Sequence, residues 1–238
     1  MKARVRFTIP EIEPGELAGA TAVVVDVLRA TSTIIAALAA GARGIYPTAD
    51  TEEALRLAQS MGRDDTLLCG ERRGARIEGY DLGNSPLDFT PEVVGDRRLV
   101  MNTTNGTRAF LAAEGADRVV AAAFVNVAAV ARSVATVDDI VVICAGRDDA
   151  FSLEDAVCAG ALLDALGGPE SRELDDAGRA AYVLARHCAA DADFLAGTAG
   201  GRALLEIGLG GDLEWCARRD SLDVVPEMRD RAVVRAEA

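Results

Sequence analysis

The chain has 238 residues, of which half are hydrophobic and 26% are charged, with 38 acidic and 25 basic side chains. This composition is typical of a soluble globular protein and excludes a disordered or fibrous chain. The formal net charge of −13 would repel a phosphate backbone, so we expect no nucleic-acid partner, although small anions can bind where basic groups are gathered locally.

Short apolar or β-branched runs alternate with segments of helical periodicity along the first part of the chain. The runs predict buried strands at residues 21–27, 66–69, 98–102, 118–124 and 139–144. The periodic segments predict helices at residues 32–40, 51–59, 107–114 and 126–134. This alternation predicts an α/β fold with a largely parallel sheet.

The last third of the chain has a different pattern. Residues 153–166, 177–190 and 201–207 predict helices, and no convincing strand precedes residues 224–225. We therefore expect a helical carboxy-terminal third that covers the sheet. One domain over residues 1–238 accounts for the chain, and residues 167–171 are the best place for a subdivision.

Neither a membrane span nor an extracellular setting is expected. The longest nearly apolar run, residues 119–131, is well short of the ~20 residues that a spanning helix needs. The first residues lack the apolar stretch of a secretory signal. The 5 cysteines form no CxxC pair, which favours a reducing cytoplasm.

The first polar cluster follows the strand predicted at residues 21–27. Asp26 ends that strand, where a carboxylate is costly unless it has a partner or a metal. Arg29 and the hydroxyl residues 31–33 come next and could present donors to an anion. A helix cap with a salt bridge between Asp26 and Arg29 is the alternative interpretation.

Two further clusters combine glycines, hydroxyl groups and arginines. Residues 70–74 and 79–86 form a long loop whose arginine and amide groups could close over an anion, or a turn-rich surface loop. Residues 102–108 offer donors that converge on an oxyanion, with an Asn-Gly turn capped by Thr107 as the alternative. The pattern of a Walker loop is absent.

The fourth cluster follows the strand predicted at residues 139–144. Glu154 and Asp155 lie near residues 144–146, and their hard oxygen atoms could hold Mg²⁺. Ser152 with Asp155 three residues later is also a helix N-cap pattern, which is the alternative interpretation. His187, the single histidine, lies in a predicted helix and is interpreted as structural, so no Ser-His-Asp arrangement is indicated.

Four ordered segments together resemble the 2-phosphosulfolactate phosphatase, or ComB, family. They are DVLRATST, GER(x)G with GYDLGNSP, TTNGTR, and CAG followed by FSLED. The resemblance implies a three-layer α/β/α fold and Mg²⁺-dependent hydrolysis of (R)-2-phospho-3-sulfolactate to (R)-3-sulfolactate and phosphate, a step of coenzyme M biosynthesis. Two departures are Tyr80, where phenylalanine is expected, and residues 147–150, where a smaller glycine-containing loop is expected.

The resemblance also suggests roles for individual residues. We expect Asp26, Arg29 and Arg108 to be catalytic, and the metal ligands to include Asp26, Glu154 and Asp155. The residues expected to bind substrate are Thr31, Ser32, Arg72, Asn84, Ser85, Thr103, Thr104, Asn105, Gly106 and Thr107. A metal-activated water or Asp26 itself could attack phosphorus.

Two other functions fit the same residues. A Mg²⁺-dependent lyase or isomerase of a phosphorylated hydroxy acid would bind the same anions without releasing phosphate. A non-enzymatic protein that binds a small anion would need the arginines but gains nothing from the carboxylates unless a cation is present.

For assembly we expect a homodimer, since an apolar helix such as residues 126–134 could pack against a second subunit.

Overall fold

The computed structural model describes residues 1–236 and contains eleven strands within that range. The five predicted strands are present, with ends that differ by up to three residues. The strands are β1 (Lys2–Arg6), β2 (Thr21–Val25), β3 (Gly44–Pro47), β4 (Thr66–Arg72), β5 (Ala75–Arg76), β6 (Arg98–Asn102), β7 (Arg118–Ala122), β8 (Asp139–Cys144), β9 (Glu173–Leu174), β10 (Pro226–Arg229) and β11 (Ala232–Arg235).

Helices connect most of these strands and dominate the last third of the chain, as predicted. They are α1 (Ala30–Ala39), α2 (Thr51–Met61), α3 (Pro91–Val94), α4 (Gly106–Ala112), α5 (Val127–Ser133), α6 (Leu153–Ala165), α7 (Gly168–Ser171), α8 (Asp176–His187), α9 (Ala192–Gly197), α10 (Ala199–Glu206) and α11 (Gly211–Cys216). Short 3₁₀ turns lie at Ile9–Glu11, Pro86–Asp88 and Phe124–Asn126.

The strands form one sheet in the order β5-β4-β6-β3-β11-β10-β7-β2-β8-β1-β9. Strands β4, β6 and β3 are parallel to one another, and so are β7, β2, β8, β1 and β9. The hairpin of β10 and β11 joins these two parallel groups through antiparallel pairs on both sides. The predicted α/β fold with a largely parallel sheet is therefore confirmed.

Alternate side chains of the central strands pack on opposite faces of the sheet. In β2, Val23 and Val25 belong to the core beneath α5, α6 and α8, whereas Ala22 and Val24 belong to the core beneath α1 and α4. A smaller cluster joins α2 to Leu68 and Val100. Both faces of the sheet are covered, which gives the three-layer α/β/α arrangement.

The strands that the sequence pattern missed are short or charged. Strand β1 alternates buried Ala3 and Val5 with Arg4 and Arg6, and both arginines form ion pairs with Glu16. Because these charged residues interrupt the apolar pattern, the sequence did not indicate this strand, which lies between β8 and β9 in the sheet. The hairpin of β10 and β11 begins just after the predicted residues 224–225 and has only four residues in each strand.

The functional loops follow β2, β4, β6 and β8. The loop predicted from residues 70–74 and 79–86 begins with the β4–β5 hairpin and continues to the turn Pro86–Asp88. Within residues 1–236, none of the helices combines the length and apolar character that crossing a membrane would require.

The close packing of α6 against α8 generates a stability prediction. A Cβ atom at Gly160 of α6 would overlap the backbone oxygen of Ala181 in α8 and lie 2.8 Å from the Cβ of Ala185. We expect Gly160→Ala to lower the free energy of unfolding by about 1–3 kcal/mol, because overpacking pushes the two helices apart. Urea denaturation measures this change.

Gly197 is the matched control for this substitution. It also lies in a helix, but a Cβ atom there would meet no atom within 4 Å. We expect Gly197→Ala to leave stability unchanged or to raise it slightly, since alanine restricts the unfolded chain. Equal effects of the two substitutions would contradict the close packing of α6 on α8.

Candidate active site

A cavity of about 450 Å³ lies among the loops that follow β2, β4, β6 and β8, with α10 on one side. Its size is within the range of roughly 300–1,000 Å³ that is common for small-molecule sites. The sequence-predicted residues that line it are Asp26, Arg29, Asn84, Thr104, Asn105, Glu154 and Asp155. Segments far apart in the chain therefore meet at one site.

The other predicted residues lie behind or beside this cavity. The Thr31 hydroxyl donates to the backbone oxygen of Asp26, and the Ser32 hydroxyl donates to that of Val27. These hydrogen bonds stabilise the turn after β2. Thr103 and Thr107 are buried and bond to each other's backbone, with Thr107 N donating to Thr103 Oγ1 at 3.0 Å. Thus these hydroxyls build the loops and do not face the cavity.

The remaining predicted residues are also engaged elsewhere. Arg72 is exposed and donates to Asn102 Oδ1 and to the backbone oxygen of Glu71. Arg108 is 43% exposed and pairs with Asp149. Ser85 Oγ donates to Asp212 Oδ1 at 2.6 Å. None of these three belongs to the residues that line the cavity.

Asp26 lies at the base of the cavity and is only 7% exposed. Its Oδ1 accepts one hydrogen bond, from the backbone N–H of Ala30 at 3.2 Å. Burial raises the pKa of Asp26 to about 7, and the negative charges of Glu71 and Glu154 add to the shift, against the Ala30 amide and Arg29. The ionised form of Asp26 therefore has too few hydrogen bonds and nearby positive charges to compensate for its burial.

Gly106 allows the start of α4 to approach Asp26. A Cβ atom at this position would overlap the Cβ of Ala30 and lie 2.6 Å from Asp26 Oδ2. Any larger residue would have to move the loop that follows β6 away from the loop that follows β2. Gly106 was expected to bind substrate; the structure shows instead that it permits the close approach of two backbone segments.

Glu154 and Asp155 enter the cavity from the first turn of α6. Asp155 accepts backbone N–H groups on both oxygens, from Val27 at 2.8 Å and from Gly146 at 3.2 Å. Burial, with the charges of Asp26 and Glu154, still holds the pKa of Asp155 well above its usual range. Ser152 caps the helix by accepting from Asp155 N, so the alternative N-cap interpretation is confirmed for Ser152.

Glu71 is a fourth buried carboxylate of the cavity, at 7% exposure. Its Oε1 accepts from Thr104 N at 2.7 Å, and its Oε2 accepts from Gly74 N at 2.7 Å. This side chain fastens the β4–β5 hairpin to the loop after β6. The sequence contained a signal for Glu71, an acid close to the end of the apolar run at residues 66–69, which resembles the signal that singled out Asp26.

Arg29 is buried and paired with a residue from the last third of the chain. Its Nη1 lies 2.7 Å from Asp212 Oδ2 in α11, and its Nη2 donates to the backbone oxygen of Gly74 at 2.7 Å. The alternative salt bridge between Asp26 and Arg29 is therefore not formed. Asp212 was missed because nothing in the local sequence of α11 marks it as a functional residue.

The structure also places at the cavity two arginines that were not among the residues expected to bind substrate. Arg73 lies at the tip of the β4–β5 hairpin, and Arg147 lies in the turn after β8. Both side chains belong to exposed residues, whereas Arg29 is buried. No sequence pattern separates Arg73 from Arg72, because the direction of a side chain in a tight turn depends on the tertiary structure.

The donor set suits a hard divalent cation. Within residues 1–236, no three His, Cys, Asp or Glu side chains are grouped closely enough to hold a metal ion by themselves. Asp26 and Glu154 nevertheless line the same cavity, and the pKa of Asp26 is raised by the charge of Glu154. A cation between them would relieve that repulsion, and Mg²⁺ commonly uses one or two carboxylates together with water and substrate oxygens.

The raised pKa of Asp26 predicts a pH-dependent loss of stability in metal-free protein. The folded state holds this proton up to about pH 7, whereas an unfolded aspartate releases it near pH 3.9. Stability conferred by the neutral form is lost as pH rises through that window. Asp26→Asn keeps the acceptor for Ala30 and removes the charge, so it should raise the free energy of unfolding at pH 8 by more than about 1.4 kcal/mol.

Urea denaturation with a chelator at pH 4.5 and pH 8 measures this difference. Asp64→Asn is the control, because Asp64 is exposed and lies away from the cavity. The control should show no such pH-dependent gain. If the Asp26→Asn protein is less stable than the wild type at pH 8, the surroundings of Asp26 stabilise its ionised carboxylate, and the prediction is wrong.

The buried pair of Arg29 and Asp212 generates a second prediction. Asp212→Asn leaves the Arg29 guanidinium buried without a counterion, which should cost about 3–5 kcal/mol of stability. Asp223, 83% exposed and paired with Arg132, provides the control, and Asp223→Asn should have little effect because exposed pairs contribute little. Chemical denaturation compares the two, and similar losses would argue against a buried pair.

Comparison with known proteins identifies the family to which this chain belongs. A family model described as 2-phosphosulpholactate phosphatase matches residues 7–231. A probable 2-phosphosulfolactate phosphatase of Symbiobacterium thermophilum is 43% identical over 232 residues, which cover 96% of this chain and 99% of the relative. A relative of the same name from Cyanothece sp. is 40% identical over 244 residues, covering 99% of this chain and all of that protein.

A third relative with this name, from Caldanaerobacter subterraneus subsp. tengcongensis, is 37% identical over 228 residues and covers 95% of each chain. The matches extend over nearly the whole chain and include the four cavity-forming loops. The resemblance inferred from those loops is thereby confirmed. The chain belongs to the 2-phosphosulpholactate phosphatase family and is a phosphoric monoester hydrolase.

Proposed function

We propose that the chain is a Mg²⁺-dependent phosphatase that hydrolyses (R)-2-phospho-3-sulfolactate to (R)-3-sulfolactate and phosphate, in coenzyme M biosynthesis. The observation that carries this proposal is a cavity in which Asp26 and Glu154 lie together with arginines and polar loop residues. Carboxylates can hold the metal, and arginine, amide and hydroxyl groups can bind the anionic substrate.

Asp26 and Glu154 would hold Mg²⁺, and Asp155 would keep the surrounding backbone in place. The cation would offset the negative charge that develops on the transferred phosphoryl group and on the leaving oxygen. Asp155 supports this arrangement by fixing the amides of Val27 and Gly146, one in the loop that carries Asp26. Loss of Asp155 would therefore disturb two loops at once.

The loop after β6 supplies polar groups for the substrate. Thr104 and Asn105 line the cavity, and Asn105 Oδ1 accepts from the backbone N–H of Asp148 at 3.1 Å. Asn84 also lines it, is 4% exposed, and has a side-chain oxygen without a hydrogen-bond partner in the described part of the chain. Such a buried amide is costly unless a ligand or water bonds to it.

The buried carboxylates argue against a protein that only binds a small anion. Asp26, Glu71, Glu154 and Asp155 are each at most 7% exposed and line the same cavity. Without a cation they would repel a phosphorylated acid and lower its affinity. A lyase or isomerase would share the metal site, and release of inorganic phosphate distinguishes it from a phosphatase.

A phosphate-release assay tests the proposed function. Purified protein is supplied with 2-phospho-3-sulfolactate, with Mg²⁺ or with a chelator. Phosphate should appear only with Mg²⁺, and Asp26→Asn should reduce kcat by at least about 10³-fold, because a group essential to either route of attack is lost. The Asp64→Asn control should retain activity.

Three outcomes would count against the proposal. Conversion of the substrate without phosphate release would indicate a lyase or isomerase. Binding without conversion would indicate a binding protein. Full activity in a chelator, or in Asp26→Asn, would refute the metal and the assignment of Asp26.

A further inference from the structure

The three arginines that line the cavity differ in the charge they can offer to a ligand. Arg29 is buried and is neutralised by Asp212 at 2.7 Å. Arg73 and Arg147 belong to exposed residues, and within residues 1–236 neither forms an ion pair. Arg147 Nη1 donates to the backbone oxygen of Ala199 at 2.9 Å. Two cations at the mouth of the cavity therefore lack a carboxylate partner.

The position of Arg73 is fixed by residues of the cavity itself. It has a left-handed φ of 53°, and the following Gly74 has a φ of 84°, which together turn the chain from β4 into β5. Glu71 accepts from Gly74 N, and Arg29 donates to Gly74 O. The backbone at the tip of the hairpin is thus held through the two peptide units that flank the Cα atom of Gly74, which fixes the position from which the Arg73 side chain extends.

Arg147 is held in a similar way on the turn after β8. Its backbone N–H and oxygen both bond to Ala150 at 2.9 Å, and Asp148 and Asp149 between them have left-handed φ values of 51° and 60°. The backbone N–H of Asp148 donates to Asn105, which ties the turn to the loop after β6. This turn is the segment in which the chain departs from the pattern expected of the family.

The inner part of the cavity is lined by buried carboxylates, whereas the exposed charged residues that line it are Arg73, Arg147 and Asp148. The inner residues are the buried Asp26, Glu71, Glu154 and Asp155, with Arg29 neutralised beside them. That region suits a cation and the phosphate that the cation binds. An acidic group of the substrate that the cation does not bind would be repelled there and would be attracted to Arg73 and Arg147.

We propose, on the basis of the function proposed above, that Arg73 and Arg147 determine specificity by binding the sulfonate of the substrate. In 2-phospho-3-sulfolactate the carboxylate and the phosphate ester share one carbon atom, so both lie close to the metal. The sulfonate is on the neighbouring carbon, extends away from the reacting group and offers three oxygens. Guanidinium groups bind such oxyanions through charge-assisted hydrogen bonds.

Comparison of two substrates tests this proposal. The value of kcat/KM is measured for phosphate release from 2-phospho-3-sulfolactate and from 2-phospholactate, which lacks only the sulfonate. Arg73→Gln and Arg147→Gln should each lower kcat/KM for the first substrate by about tenfold or more, mainly through KM. They should leave the value for 2-phospholactate within about twofold.

Arg76→Gln is the matched control, because Arg76 lies on the same hairpin and is exposed but does not line this cavity. It should change neither value. Arg73→Lys should retain part of the discrimination, since the charge remains while the planar geometry is lost. Equal losses on both substrates, or no loss on either, would overturn the proposal.

Binding of the product separates this inference from the proposed function. If the wild type releases phosphate from neither substrate, the phosphatase proposal fails, and calorimetry with 3-sulfolactate and lactate then tests the two arginines. The wild type should bind 3-sulfolactate more tightly, and the double variant Arg73→Gln/Arg147→Gln should lose that preference. A preference retained by the double variant would refute the role of these residues.

Discussion

Four carboxylates buried around one cavity impose the main electrostatic constraint on this structure. Two of them are satisfied by the backbone: Glu71 by amides from two loops, and Asp155 by amides from two others. Asp26 receives a single amide bond, and the charge of Glu154 works against its ionisation. The unbalanced charge at Asp26 and Glu154 is what makes this part of the protein suited to a cation, because burial without a partner is otherwise costly.

The same charges also organise the fold around the cavity. Glu71 joins the β4–β5 hairpin to the loop after β6, and Arg29 joins that hairpin to Asp212 in α11. The helical last third of the chain therefore does more than cover the sheet, since it supplies the counterion that allows an arginine to be buried. The geometry of the cavity and folding stability depend on the same few contacts, so substitutions here are expected to affect both.

Sequence patterns predicted the parts of the site that lie directly after apolar strands. Asp26 stood out because a carboxylate at such a position needs a compensating partner, and Glu154 and Asp155 stood out as hard oxygen ligands near the end of another strand. Asp212 could not be found in this way, because its importance arises from a contact with Arg29 that is 183 residues away in the sequence. The loop hydroxyls of Thr31 and Thr107 were expected to face the ligand, yet they bond to nearby backbone groups, as short polar side chains commonly do in turns.

The distribution of charge explains how a chain with a net charge of −13 could bind a substrate that is itself strongly acidic. The buried carboxylates lie in the inner cavity, and the exposed Asp148 is a further carboxylate that lines it beside Arg147. The arginines without carboxylate partners, Arg73 and Arg147, lie at the mouth, on two turns fixed by cavity residues. Because electrostatic attraction falls off within a Debye length of about 8 Å at physiological ionic strength, this local arrangement governs binding more than the net charge does.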